Sequence, residues 1–63
     1  MLKKKEALRL FRSEVLPIIR DQYEQDRRID YPARREAWNN FTDSLHRDRQ
    51  ISDWAADNWT NPF

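Results

Sequence analysis

Glycine is missing from this 63-residue chain altogether, and so is cysteine. Without glycine there is no phosphate-cradling loop of the kind that nucleotide-binding motifs need. Any turn that requires positive φ must then place Asp or Arg there, and Asp tolerates that conformation better than most residues. Without cysteine there are no disulfides and no thiolate ligands. The single histidine, His46, does not make a zinc site without several carboxylate helpers, so neither a metal nor another cofactor is expected. No apolar run nears the roughly 18 residues that span a bilayer. Lys3-Lys4-Lys5 leads into Glu6 and an amphipathic pattern rather than into a signal peptide's apolar stretch. The expectation is a cytoplasmic protein that contacts no membrane.

The length leaves room for one domain, residues 1–63. A chain of this size hides only about 60% of the surface its unfolded form exposes. Its core rarely supplies more than roughly 3–5 kcal/mol unless staples or partners add to it. With disulfides and metal excluded, oligomerisation is the remaining device.

What is present begins with a repeated phrase, Asp26-Arg27-Arg28-Ile29-Asp30 and Asp48-Arg49-Gln50-Ile51-Ser52. Each copy ends in a helix-capping residue set just after an isoleucine, so the phrase divides the chain into three helical segments. From Lys3 to about Gln25, Leu8, Phe11, Val15, Ile18 and Ile19 recur at helical spacing, with Leu10, Leu16 and Tyr23 widening the stripe. Pro17 interrupts that pattern; it removes an amide donor and crowds the carbonyl of Ser13, which predicts a kink. Asp30 caps a second helix, Tyr31 to about Arg47, with Pro32 in its first turn and Ile29 placed for a staple contact. Its inward residues are Ala37, Trp38, Phe41 and Leu45, with Arg34, Arg35, Asn39, Asn40 and Asp43 outside. Ser52 caps a short third helix, Asp53 to Asn58, with Ile51 in the staple position. The expected fold is all-α: helices at about 3–25, 31–47 and 52–59, a hairpin with a kinked first arm and a short C-terminal helix.

Charge is polarised along the chain. Residues 1–20 carry six basic and two acidic side chains, residues 21–63 six basic and nine acidic, giving +4 and −3. A basic head and an acidic tail attract each other within a hairpin or between subunits, although an exposed pair is worth under about 1 kcal/mol. A solvated helix face explains much of this pattern.

Three classes of function were weighed against these residues. Catalysis finds no constellation: the carboxylates lie on outer faces or helix starts, Ser52 is a cap, and His46 near the end of helix two suits the helix dipole. The chain reads as non-enzymatic. DNA binding has a superficial helix-turn-helix between Tyr31 and Asn58, and Arg34, Arg35, Asn39 and Asn40 include the side chains that read base edges. The third helix holds two aspartates and no cation, which opposes phosphate contact, so nucleic acid is the alternative partner and not the favoured one. Protein association has the most material. Eight aromatic residues serve a small core, and Trp and Tyr are enriched among interface anchors. Trp38 and Phe41 belong in the core, whereas Trp54, Trp59 and Phe63 are candidates for an apolar contact surface. A homo-oligomer or a host-protein partner is the expectation.

The stretch Asp30-Tyr31-Pro32-Ala33-Arg34-Arg35-Glu36-Ala37-Trp38-Asn39-Asn40-Phe41-Thr42-Asp43-Ser44-Leu45, with Ile51-Ser52-Asp53-Trp54 and Asn58-Trp59-Thr60-Asn61-Pro62, resembles small early proteins of lambda-like (lambdoid) phages. Such proteins are encoded between the recombination and excision genes, and the resemblance covers about residues 14–62. It implies an all-helical, self-associating protein of the host bacterial cytoplasm, made early in infection and tied to the choice between lysis and lysogeny and to host modulation. It brings no catalytic or ligand-binding residues.

Overall fold

The computed structural model describes all 63 residues, Met1–Phe63, and is all-helical. Its elements are α1 (Lys4–Leu10), a π turn (Phe11–Val15), α2 (Leu16–Tyr23), α3 (Tyr31–Arg47) and α4 (Asp53–Asn58). The first three run on without a break, so the molecule is a long first helix folded back against α3, with α4 closing one end. The expected helices are all present.

The irregularity expected at Pro17 takes the form of the π turn. The Leu16 amide bonds the Phe11 carbonyl, five residues back, and Pro17 follows inside the first turn of α2. The turn has a packing consequence. The buried residues of the first helix are Ala7, Phe11, Leu16 and Ile19. Phe11 and Leu16 are five apart, a spacing that would turn them away from each other in a regular helix of 3.6 residues per turn. One extra residue absorbed in the π turn brings them onto one face. The stripe read from sequence therefore shifts after Phe11: Leu16 is buried where Val15 was expected to lead, and Ile18 is 54% exposed.

Phe11 and Trp38 sit at the centre of the core, with ring centroids 5.4 Å apart in an edge-on arrangement. Phe41 adds a second edge contact to Phe11 at 5.7 Å. Leu8, Val15, Ala33, Ala37, Leu45, Trp59 and Phe63 pack around this cluster, partly buried.

The two copies of the repeated phrase share a left-handed residue. Arg27 and Arg49, the second residue of each, have φ of 67° and 59°. The left-handed residue is thus Arg in both turns, although Asp is the better tolerated type. The aspartates hold neighbouring tasks: Asp26 Oδ1 accepts from the Arg28 amide at 3.1 Å, and Asp48 is the C-cap of α3. After α3 the Gln50 amide bonds the Leu45 carbonyl at 2.8 Å and the Arg49 amide bonds that of His46 at 3.0 Å, the pairing of a Schellman motif. Each phrase then ends in a working cap. Asp30 Oδ1 accepts from the Ala33 amide at 3.0 Å and Ser52 Oγ from the Ala55 amide at 3.1 Å. The isoleucines diverge: Ile51 is 1% exposed, whereas Ile29 is 49% exposed and makes no buried staple.

Candidate interaction surface

The turn between α2 and α3 is held by a polar cluster. Arg34 donates two hydrogen bonds to Glu24, from Nε to Oε2 and from Nη2 to Oε1, both 2.7 Å. The Asp30 amide adds a third to Glu24 Oε2 at 3.1 Å. The two side chains are only 12% and 6% exposed. A forked guanidinium matches a carboxylate in this two-point manner. The Arg34 hydrogen bonds hold the Glu24 carboxyl below the usual carboxylate range, against the opposing effect of burial and with help from the Asp30 amide and the charges of Arg34 and Arg20. Glu24 in turn raises the Arg34 guanidinium further above its ordinary value.

This pair corrects the expectation that Arg34 lies free on an outer face. The four residues of the nucleic-acid alternative are not assembled into one reading surface. Arg34 is occupied by Glu24. Arg35 is exposed but its Nη1 donates to the Phe63 carbonyl at 3.3 Å. Asn39 Oδ1 accepts from Asn61 Nδ2 at 3.1 Å, and the same nitrogen donates to the Arg35 carbonyl. Asn40 is exposed beside a shallow cavity of about 200 Å³ next to Tyr23 and Glu36. The physical reason is the C-terminal segment, which lies along α3 and engages Arg35 and Asn39.

The aromatic candidates divide as well. Phe63 lies against the core, its ring centroid 5.2 Å from Phe11 and 6.4 Å from Trp38. Trp59 is partly buried on the same cluster. Trp54 is 68% exposed. The three therefore do not make one continuous outward surface: Trp59 and Phe63 face inward, and Trp54 alone projects. On α4, helical periodicity turns Asp53 and Asp57 away from the buried Ala55, with Trp54 to one side of them. A second apolar group, Ile18, Tyr23, Ile29 and Tyr31, is exposed on α2, the following turn and the start of α3. The inward stripe read from sequence hid Ile18, and only the five-residue spacing across the π turn signals its outward position.

His46 Nε2 and Asp53 Oδ1 are 2.6 Å apart and tie the end of α3 to the start of α4. Both side chains are open to solvent. No group of three or more His, Cys, Asp or Glu is placed to hold a metal ion. No helix is long and apolar enough to cross a membrane.

The fold and its outward Trp54 define a small helical domain with an exposed aromatic residue beside two carboxylates. Compared with protein-family models, curated proteins and solved structures, the chain matches none.

Proposed function

We propose that this chain is a non-enzymatic early regulatory protein of a lambda-like phage. It acts through protein–protein contacts in the host bacterial cytoplasm and influences the choice between lytic and lysogenic development. The phage assignment rests on the sequence resemblance over residues 14–62. The contact mechanism rests chiefly on Trp54, a large apolar ring exposed on a face whose neighbours are charged. Trp is costly to leave in water and is the residue type most enriched at interface anchors.

Acidic residues beside Trp54 then select a basic partner surface and reject acidic ones.

The experiment is to produce the parent chain and Trp54→Ala at equal levels in the bacterial host and count lysogens after phage infection. The parent is expected to shift the lysogenic fraction and Trp54→Ala to lose that shift. A parent without effect contradicts the regulatory role. An undiminished effect of Trp54→Ala contradicts the contact surface.

A further inference from the structure

Two outward faces carry opposite charge around an apolar centre. On the first helix, Lys5, Arg9 and Arg12 lie opposite the buried Ala7 and Phe11. Leu8 sits half-buried among them, and these side chains with Ser13 line a shallow cavity of about 470 Å³. None of the three cations takes part in an ion pair within the chain, whose two pairs are Arg34–Glu24 and His46–Asp53. On α4, Asp53 and Asp57 are neighbours on one face, and Trp54 lies beside them. Asp53 is engaged with His46 through Oδ1, and Asp57 is in no ion pair. The second face is thus a near-inverse of the first: an aromatic ring with carboxylates against a leucine with cations.

The first face begins close to the turn that precedes the second. The Leu2 amide donates to the Gln50 carbonyl at 2.7 Å, which sets the start of α1 beside the turn that opens α4. In a two-fold pairing each copy offers both faces to the other, and such a contact closes instead of propagating.

We propose that each face is covered by the opposite face of a second copy, in a two-fold dimer. This deepens the protein-contact reading and rests on it. Trp54 of each copy covers Leu8 of the other and lies against the guanidinium groups of Arg9 and Arg12, where the ring face attracts a cation. Asp53 and Asp57 meet Lys5, Arg9 and Arg12. Like-charged faces repel, so the pairing also sets orientation. The +4 of residues 1–20 and the −3 of residues 21–63 are complementary between copies in this arrangement.

The test is sedimentation equilibrium on the full chain at low and moderate salt, with two reversed variants, Arg9→Glu with Arg12→Glu, and Asp53→Lys with Asp57→Lys. The parent is expected at twice its 7.8 kDa mass, with weaker association as salt screens the charges. Each reversed variant alone is expected to be monomeric, its dimer dissociation constant raised at least tenfold. An equimolar mixture of the two is expected to dimerise again, because one contact is native and the other is reversed on both sides. Recovery on mixing separates a lost contact from a lost fold.

A parent that stays monomeric up to millimolar concentration overturns the proposal. So does a reversed variant that keeps the parent's mass, or a mixture that stays monomeric. Retention of the parent on a mixed-sequence duplex through Arg9 and Arg12, without dimers, also overturns it in favour of a polyanion surface. If Trp54→Ala alone abolishes the dimer while both charge variants keep it, the contact reading stands and this pairing fails.

Discussion

Single residues decide the turns of this glycine-free chain. Arg27 and Arg49 hold positive φ, a conformation that costs a non-glycine residue about 1–2 kcal/mol. Glycine removes that strain but loses more freedom on folding. Arg49→Gly is therefore expected to raise stability by about 0.5–1 kcal/mol, read as a higher urea midpoint at unchanged slope. Glu24 acts at the other turn. Its carboxyl lies below the ordinary value of 4.5 because Arg34 hydrogen-bonds its charged form. A depressed carboxyl contributes stability that is whole above its unfolded value and lost as pH falls through its folded value. Acid titration of the fold is expected to show that loss in the parent, and Glu24→Gln to flatten that part of the curve; identical acid slopes would contradict it. The sequence displayed Asp30 and Ser52 as caps, because capping needs only a local side chain at the right offset. It did not display the Arg34–Glu24 pair, whose partners are ten residues apart, one just past the end of α2 and one on α3, and share no periodic signal.

At the scale of elements, the helices and their limits were legible from spacing, Pro32 and the repeated phrase. The π turn was not, because Val15 and Leu16 are both apolar and either one completes a stripe from Phe11. Tertiary packing selected Leu16, and that choice rotated Ile18 outward. Deleting Ser13 is expected to convert the π turn into regular helix while keeping Phe11, Leu16 and Ile19 on one face, with stability within about 1 kcal/mol of the parent. Inserting one alanine after Ser13 turns α2 by about 100° and takes Leu16 and Ile19 out of the core, at about 1.5–3 kcal/mol each. Thermal unfolding followed by circular dichroism distinguishes the two. Equal losses from deletion and insertion would show that the turn does not set the register. The candidate surface divided in the same manner: Trp54, Trp59 and Phe63 were equal candidates in the sequence, and the inward packing of Phe63 and Trp59 depends on how the last residues lie along α3.

The whole molecule is elongated, with a radius of gyration of 11.9 Å against about 10.6 Å for a compact chain of this length. Seven residues are buried, too few to leave much margin. Phe11→Ala removes the ring that Trp38, Phe41 and Phe63 all contact. Its cost of about 3–5 kcal/mol equals what a core this small supplies, so the isolated variant is expected to be largely unfolded at 25 °C by circular dichroism. A partner on the Trp54 face adds to such a margin by mass action. The direct measurement is the solution mass of the parent and of Trp54→Ala by sedimentation equilibrium over a wide concentration range. The account predicts a parent that approaches twice 7.8 kDa and a folded Trp54→Ala that remains at the single-chain mass. Parent and variant with the same mass at every concentration would contradict it.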